Sequence, residues 1–364
     1  MTMLIPAVLA TLGTASVAAA QDLPHVQLVN DTKNNEFIVV VGPVDLPAGM
    51  MHSHGAEGAV FPPVETVTIP ESVYLTGFSY EVVDGSGNPV PRETLHHFNL
   101  INPDNRELFL PISQRMLAVG SETGAQSMPW FLLGYPVPDG TRMVVASMMH
   151  NPTGKSYTGA EVRVHLKYVK AGRPWPLLSV YPFQMDVAFP AGDKSVDLPP
   201  GKSEFSYEAS PAMEGRIMVI GSHLHPLAEN IRFYDVTADK LVWEGWPVED
   251  ENGDLTGVTI GHLYRKLGVK IFPDHKYRVT VSYNNPGADT LYAGGMGVVA
   301  GVFMPAAAGI WPRANKDDEL YALDRKHYLR EVRGSYELIA AGGGALAGDD
   351  EKAEHGGDQH RHEH

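Results

Sequence analysis

Short runs of β-branched and aromatic residues, separated by dense turn signals, constrain the fold of this chain most strongly. Such runs include Glu36–Val41, Ser72–Phe78, Met143–Ser147, Glu161–Val169, Arg216–Ile220, Ile231–Tyr234, Tyr277–Tyr283 and Gly297–Phe303. Asn-Pro, Asn-Gly and Asp-Gly pairs lie between them, and residues 25–312 carry no long pattern of 3.6-residue period. This spacing predicts an all-β fold built from antiparallel sandwiches.

The length of 364 residues allows two ordinary domains. A Gly- and Pro-containing stretch at residues 171–176 is the candidate linker, with a block of strand-like runs on each side. The predicted segments are a signal peptide (1–20), an N-terminal β-sandwich (21–172), a C-terminal β-sandwich (173–312) and a tail (313–364). Within the tail, apolar spacing over Asp317–Tyr336 predicts a helix, and the Gly-, acid- and His-rich stretch Ala340–His364 predicts disorder.

The first twenty residues predict export. Residues 3–20 are apolar and end in small residues that match an A-x-A cleavage site, with cleavage expected after Ala20. The alternative is a membrane anchor, although the run is short for a span. We expect a periplasmic or extracellular protein with no stable membrane insertion after cleavage. The net charge of −15 argues against nucleic acid and anionic membranes as partners.

The chain contains no cysteine, which excludes blue-copper, iron–sulfur and Cys-based zinc sites. It does contain three separated groups of imidazole and thioether side chains. They are His96-His97, His150, and His223-x-His225 followed much later by Met296. Thioether sulfur favours Cu(I), and imidazole accepts both copper oxidation states, so this ligand set is typical of copper.

Strand geometry bears on each group. His223 and His225 point to the same face of a strand and can bind one metal together. The adjacent pair His96-His97 can do so only at a strand end, a twist or a bulge. His150 lies where a strand ends, before Asn151-Pro152. Taken singly, these residues are also explained as surface or structural histidines, and Met296 as a core methionine.

Taken in order, the series HH…H…HxH…M resembles the type-2 copper, ascorbate-dependent monooxygenases, the family of peptidylglycine α-hydroxylating monooxygenase and dopamine β-monooxygenase. Two local phrases are also similar to that family. They are Tyr74–Phe78 ahead of His96-His97, and Val119–Gly124 ahead of His150. The resemblance covers roughly residues 65–306 and spans both predicted sandwiches.

The resemblance implies two jelly-roll-like sandwiches with one copper each, facing each other across a solvent-filled cleft. His96, His97 and His150 would bind an electron-storing copper. The catalytic set His223, His225 and Met296 would bind the copper at which O2 reacts. Ascorbate or another one-electron donor would reduce both coppers, and a C–H bond of a small-molecule substrate would be hydroxylated.

Several positions depart from the family pattern. Gly221 stands where the peptide-hydroxylating branch has the Arg that grips the substrate carboxylate, and Val298 and Ala300 replace the Asn and Tyr that help it. Met148 stands in place of a Gln before the lone His, and Phe98 in place of a Met after the His pair. These replacements predict a small, apolar substrate in place of a peptide.

Further histidines lie outside this pattern. His52 and His54, preceded by Met50-Met51, are a possible extra metal site, a mobile loading site or a polar loop. The tail histidines are either weak metal ligands or part of a solvated segment: His355, His360, His362 and His364. The alternatives to an enzyme are a non-catalytic exported protein for copper binding, storage or transfer, and a structural or zinc-binding pair of jelly rolls. The oligomeric state stays open.

Overall fold

The computed structural model describes residues 25–50, 59–172, 174–188, 194–251, 253, 255–307 and 311–330. The strands of the first half are β1 (His25–Asp31), β2 (Glu36–Leu46), β3 (Glu65–Thr68), β4 (Val73–Val83), β5 (Leu95–Arg106), β6 (Ser113–Val119), β7 (Gln126–Ser127), β8 (Leu133–Val137), β9 (Arg142–Met149) and β10 (Tyr157–Lys170). The strands of the second half are β11 (Leu178–Ser179), β12 (Tyr181–Asp186), β13 (Val196–Leu198), β14 (Gly201–Ala209), β15 (Gly215–Leu224), β16 (Ala228–Asp235), β17 (Lys240–Gly245), β18 (Pro247–Glu249), β19 (Leu255–Val258), β20 (Val269–Ile271), β21 (Tyr277–Asn285), β22 (Leu291–Gly295) and β23 (Gly297–Pro305). The helical segments are two short 3-10 helices, Arg92–Thr94 and Leu263–Lys266, and the helix α1 (Glu319–Arg330).

The first half forms a sandwich of two sheets. One sheet has the order β1-β2-β10-β4-β8-β11, with β7 added beside β4, and the other has the order β3-β9-β5-β6. In β10 the alternate residues Val162, Val164, Leu166 and Tyr168 are buried in the core, as the period-two pattern of the sequence predicts. The strands pair antiparallel in the described residues, apart from β11, which runs parallel to β8.

The second half repeats this architecture. The sheet β12-β23-β15-β20 packs against β14-β21-β16-β17, and the two-stranded pairs β13-β22 and β18-β19 lie at the edges. The alternating residues Tyr277, Val279, Val281 and Tyr283 of β21 are fully buried. The predicted all-β fold of two antiparallel sandwiches, followed by a short helix, is confirmed.

The two sandwiches share one hydrophobic core. The loop between β5 and β6 carries Phe109 out of the first sandwich and into the second. There the Phe109 ring packs edge-on against Phe183, Phe233 and Tyr277, with ring centroids 5.7–6.1 Å apart. Phe109 is only 3% exposed, so this contact removes a large apolar surface from water and holds the halves together.

A buried carboxylate reinforces the same loop. Glu107 is fully buried and accepts hydrogen bonds from the backbone N–H groups of Leu108, Arg115 and Gln184, the last from β12 of the second half. Burial raises the pKa of Glu107 from 4.5 to about 7, outweighing the opposing effect of these donors. A buried, hydrogen-bonded acid therefore fixes the path of the chain where the two sandwiches meet.

Helix α1 returns to the first sandwich. Its Asp324 forms a bidentate ion pair with Arg115 of β6, at 2.5 and 2.6 Å, and both side chains are almost completely buried. The described helix, Glu319–Arg330, lies inside the predicted range Asp317–Tyr336, and residues 331–336 lie outside the described part of the chain. Before it, Trp311 stacks on Tyr181 with ring centroids 4.6 Å apart.

Some predictions fall outside the described residues. These are the signal peptide over 1–20, the candidate ligands His52 and His54, and the tail histidines beyond residue 330. Among the residues that the structure describes, no helix has the length and apolar character needed to cross a membrane.

Replacing Phe109 tests the shared core. We expect Phe109→Ala to lower the free energy of unfolding by about 3–5 kcal/mol, because it leaves a cavity among aromatic rings. The wild-type protein should unfold in one calorimetric transition that moves as a whole in the variant. The control is Phe131→Ala, at a residue 48% exposed, with an expected change within about 0.5 kcal/mol. Two independent transitions in the wild type would contradict a shared core.

The raised pKa of Glu107 predicts a pH dependence. Because the native pKa exceeds the unfolded value, the stability linked to this proton is fully present below pH 4.5 and is lost as the pH rises through about 7. Glu107→Gln should reduce the fall in unfolding free energy between pH 4.5 and 7.5 by about 3 kcal/mol in urea titrations. Glu249→Gln, at an exposed position, should leave that slope unchanged. An unaltered slope in Glu107→Gln would show that this carboxyl is ionised throughout.

Candidate metal centre

The first histidine cluster forms where β5 and β9 meet. His96 and His97 are the second and third residues of β5, and the pairing with β9 shifts register between Leu95 and His97. This is the bulge that an adjacent His pair requires if both rings are to lie on one side. His150 directly follows β9, and its backbone N–H donates to the Thr94 carbonyl at 3.0 Å, next to the bulge. The structure thus brings the three residues together.

The three imidazole rings of this cluster lie near one another, and those of His96 and His150 are stacked with their planes 21° apart. The His96 ring centroid lies 5.3 Å from that of His97 and 5.2 Å from that of His150. Imidazoles that share one metal through bonds of about 2 Å at tetrahedral angles have centroids roughly 5 Å apart. Centroid spacing does not by itself make the nitrogens converge. Among the described residues, no group of three or more His, Asp or Glu side chains is arranged to hold a metal ion.

One nitrogen of His150 has a defined role. Nε2 lies 2.6 Å from the Glu93 carbonyl oxygen, so in the neutral ring Nε2–H donates to it. Nδ1 is buried and has no hydrogen-bond partner among the described residues. Burial also lowers the pKa of His150, which favours the neutral ring. A buried lone pair without a donor fits a metal ligand, because metal coordination would satisfy it.

The second cluster forms at one end of the β15–β23 pair. His223 is paired with Val298, and Leu224 with Gly297, so the residues that follow outward are His225 and Met296. The two imidazole centroids are 5.3 Å apart. Gly297 allows the close packing here, because a Cβ on it would lie 2.6 Å from the Val281 side chain.

The hydroxyl of Tyr283 ties the two ligand-bearing segments together. It accepts the backbone N–H groups of His225 and Met296, at 3.1 and 3.0 Å, and donates to the Met296 carbonyl. The Tyr283 ring is fully buried, and burial raises its pKa to about 12, so the hydroxyl keeps its proton. Sequence reasoning missed this residue, because its role depends on a contact that only the folded sheet creates.

Hydrogen bonds set the orientation of both imidazoles in the second cluster. Nδ1 of His225 lies 3.2 Å from the Gly294 carbonyl oxygen, and Nδ1 of His223 lies 2.6 Å from Oε1 of Glu122. When Nδ1–H donates in this way, Nε2 carries the lone pair that a metal binds. Burial, assisted by the neighbouring His223, lowers the pKa of His225 to about 4 and so keeps its ring neutral.

Glu122 links the two sandwiches at this point. It follows β6 of the first sandwich, yet its carboxylate bonds to His223 of the second. Burial acts to raise the pKa of Glu122, but His223 outweighs it and the pKa falls to about 2. Burial acts to lower the pKa of His223, but the attraction of Glu122 is larger, and the net effect is a raised pKa. The cleft implied by the family resemblance is therefore bridged here by the contact between Glu122 and His223.

The loop that carries Glu122 is itself held near the first cluster. Arg92 precedes the His pair by four residues. Its guanidinium donates to the Thr123 carbonyl and lies over the Tyr80 ring. The Tyr80 hydroxyl donates to the Gly120 carbonyl at 3.0 Å. The segment Val119–Gly124 is similar to the copper monooxygenase family, but nothing in the sequence indicates that Glu122 contacts the second cluster.

Two of the departures lie in the first sandwich. Phe98 is fully buried in its core, whereas Met148 is 3% exposed, lies outside that core and pairs with His97. The other three form a patch beside His223. Gly221 pairs with Ala300, and Val298 pairs with His223 itself. A Cβ on Gly221 would meet one atom, of Ile260, at an ordinary 3.7 Å, so there is room above the patch.

Removing the Tyr283 hydroxyl should loosen the second cluster. Tyr283→Phe leaves two partly buried N–H groups without an acceptor, which we expect to cost about 1–3 kcal/mol of unfolding free energy. The measurement is chemical denaturation of the metal-free protein. In the control Tyr234→Phe the lost hydroxyl bond, to Asp239, is exposed, and water replaces it at little cost. Equal losses in the two variants would contradict the role given to Tyr283.

Comparisons with known proteins name no family. No protein-family profile and no curated protein match the chain. Among solved structures it is similar to PNGF-II, with 9% sequence identity and a TM-score of 0.32, over 73% of this chain and 65% of that one. It is also similar to a fucolectin from striped bass serum (10% identity, TM-score 0.17, 77% and 99% of the chains) and to infectious bursal disease virus, Gx strain (12%, 0.19, 80% and 71%). Likeness at this level assigns no activity.

Proposed function

We propose that this protein is an exported copper-dependent monooxygenase that hydroxylates a C–H bond of a small molecule, using O2 and a one-electron donor such as ascorbate. The observation that carries the proposal is that His150 lies beside His96 and His97, and that Tyr283 holds the backbone of Met296 beside that of His225, although each set is far apart in the sequence. In each cluster, at least one imidazole has one of its two nitrogens hydrogen-bonded to a carbonyl or carboxylate oxygen. That arrangement leaves a ring nitrogen for a metal.

The residues divide into two ligand sets. His96, His97 and His150 would hold one copper, with His150 binding through its buried Nδ1. His223 and His225 would bind the other through Nε2, with the thioether of Met296 as third ligand. A donor set of imidazole and thioether, without thiolate, fits copper in both oxidation states better than zinc, which does not need the thioether.

Bound copper would supply the one-electron chemistry that activates O2. The chain itself supplies orientation. Gly294 and Glu122 fix the rings of His225 and His223, while Tyr283 holds the backbones of His225 and Met296 in register. Glu122 also keeps the segment after β6 in contact with β15, so the spacing between the clusters is set by a direct contact between the sandwiches.

A non-catalytic exported copper protein is the second candidate. It is favoured by the patch beside His223, where Gly221, Val298 and Ala300 offer no polar side chain of their own. Storage or transfer requires copper binding at both clusters but no substrate site. The two candidates are separated by O2 consumption: an enzyme consumes O2 with a reductant and a suitable substrate, and a storage protein does not.

Removing the thioether tests the second ligand set. We expect the wild-type protein to bind two coppers per chain. Met296→Leu should lower the Cu(I) affinity of one site, and the loss should be at least as large as the roughly 10–100-fold caused by removing a supporting residue at a metal site. The measurement is competition with a colorimetric Cu(I) chelator. Met304→Leu, near the other end of β23, and His262→Ala, at an exposed histidine, are the controls.

The copper-loaded protein should then consume O2 with ascorbate, and Met296→Leu should lose this activity while keeping its fold by circular dichroism. Two bound coppers without O2 uptake under any reductant would support the storage protein and contradict the enzyme. Equal Cu(I) affinities in Met296→Leu and Met304→Leu would contradict the second ligand set. Zinc binding that excludes copper would support the structural or zinc-binding alternative.

A further inference from the structure

One face of the sheet β12-β23-β15 lies between the two sandwiches. Alternate residues of these strands, Met185, Val299 and Leu224, belong to the hydrophobic core of the second sandwich. Their neighbours in sequence therefore point to the opposite face. That face meets the first sandwich, because Gln114 of β6 donates to the Pro182 carbonyl and Glu122 bonds to His223.

The strand register arranges this face in rows. Asp186 pairs with Val298, which pairs with His223, and two residues along each strand Gln184 pairs with Ala300, which pairs with Gly221. Directly paired residues of antiparallel strands point to the same side. Two polar side chains of β12 thus lie along one edge of the patch and His223 along the other. We call these six residues the inter-sandwich floor.

The floor is covered at one end and accessible at the other. Farther along the same strands, Met218 and Val302 pack against Leu133 of the first sandwich in a small apolar cluster. At the floor itself, Gly221 and Ala300 are half-buried, and the His223 side chain is 30% exposed. A Cβ on Gly221 would meet a single atom, of Ile260, at 3.7 Å, so no side chain fills the space directly above this residue.

Asp186 carries an unused acceptor. Its side chain is 2% exposed, and Oδ1 accepts the backbone N–H of Ala188 at 2.9 Å. Oδ2 is buried and has no hydrogen-bond partner among the described residues. Lys194, His223 and Arg115 act on the carboxyl through their charges, yet burial outweighs them and raises its pKa. A buried oxygen without a donor is unfavourable, and a ligand that supplies a donor would relieve that cost.

We propose that Asp186 binds the hydrogen-bond-donating group of a small, otherwise apolar molecule that lies on the inter-sandwich floor beside His223. Gln184, only 9% exposed, provides a second polar group on the same edge. The role of this molecule as a substrate rests on the proposed function, whereas its binding does not need copper. Gly221, Val298 and Ala300 have no polar side chain, and Asp186 on the neighbouring strand β12 would provide the polar contact to the ligand instead.

The test uses metal-free, full-length protein and three ligands of one shape: cyclohexylamine, cyclohexanol and cyclohexanone. The first two donate a hydrogen bond and the third only accepts. We expect at least one donor to bind about tenfold or more tightly than the ketone, as a bond to a carboxylate allows. The readout is the ligand-induced shift of Tm, confirmed by titration of tryptophan fluorescence.

The variant Asp186→Asn keeps the size and the Oδ1 acceptor but replaces Oδ2 by an NH2 group. It should remove the preference for donors over the ketone without lowering the Tm of the ligand-free protein. A purely structural aspartate would instead give a lower Tm and unchanged ligand preference. Asp274→Asn, at an exposed position, is the matched control and should behave as wild type.

A second variant tests the floor even if Asp186→Asn does not fold. Gly221→Leu fills the space above the floor, and its Cβ is tolerated, so all three ligands should bind at least tenfold more weakly. Undiminished binding in Gly221→Leu, or no preference for donors in wild type, would overturn the inference. Since copper is absent, either result leaves the Cu(I) measurements on Met296→Leu as an independent test of the metal sites.

Discussion

The placement of one sandwich against the other, and with it the contact between Glu122 and His223, depends on the apolar contact that Phe109 makes inside the second sandwich. A β-sandwich buries its own core and has no intrinsic reason to take a fixed orientation beside another. Here the loop of Glu107 and Phe109 extends the core of one sandwich into the other, and Glu107 accepts a backbone N–H of β12. That junction fixes how β6 lies against the sheet that carries His223, and so allows Glu122 to reach it.

Several polar groups near this junction have defined hydrogen-bond partners. Tyr283 satisfies two backbone donors, Gly294 and Glu93 each accept from an imidazole, and Glu122 bonds to His223. Unsatisfied buried polar atoms are costly, and of the several that occur among the described residues two belong to the candidate sites: Nδ1 of His150 and Oδ2 of Asp186. Our two proposals interpret these atoms as positions where a metal and a small molecule bind.

Much of the fold was predictable because it rests on local signals. The alternation in Glu161–Val169 and in Tyr277–Tyr283 is a direct record of which residues face a core, and both segments form central strands. Adjacent side chains on a regular strand point to opposite faces, so His96 and His97 required a bulge, a twist or a strand end to lie together. The register shift between Leu95 and His97 provides the bulge. Copper binding itself stays a prediction, as does the boundary drawn between the two domains.

The sequence by itself determined the all-β architecture, the identity of the candidate ligands and the absence of thiolate chemistry, because periodicity and residue type are local properties. Only the tertiary structure decided which distant residues support those ligands. Glu122, Tyr283 and Asp186 carry no local signal of their roles, since each role depends on strand register and on the packing of one sandwich against the other. Such contacts are fixed by the burial of the shared core, which no short stretch of sequence encodes.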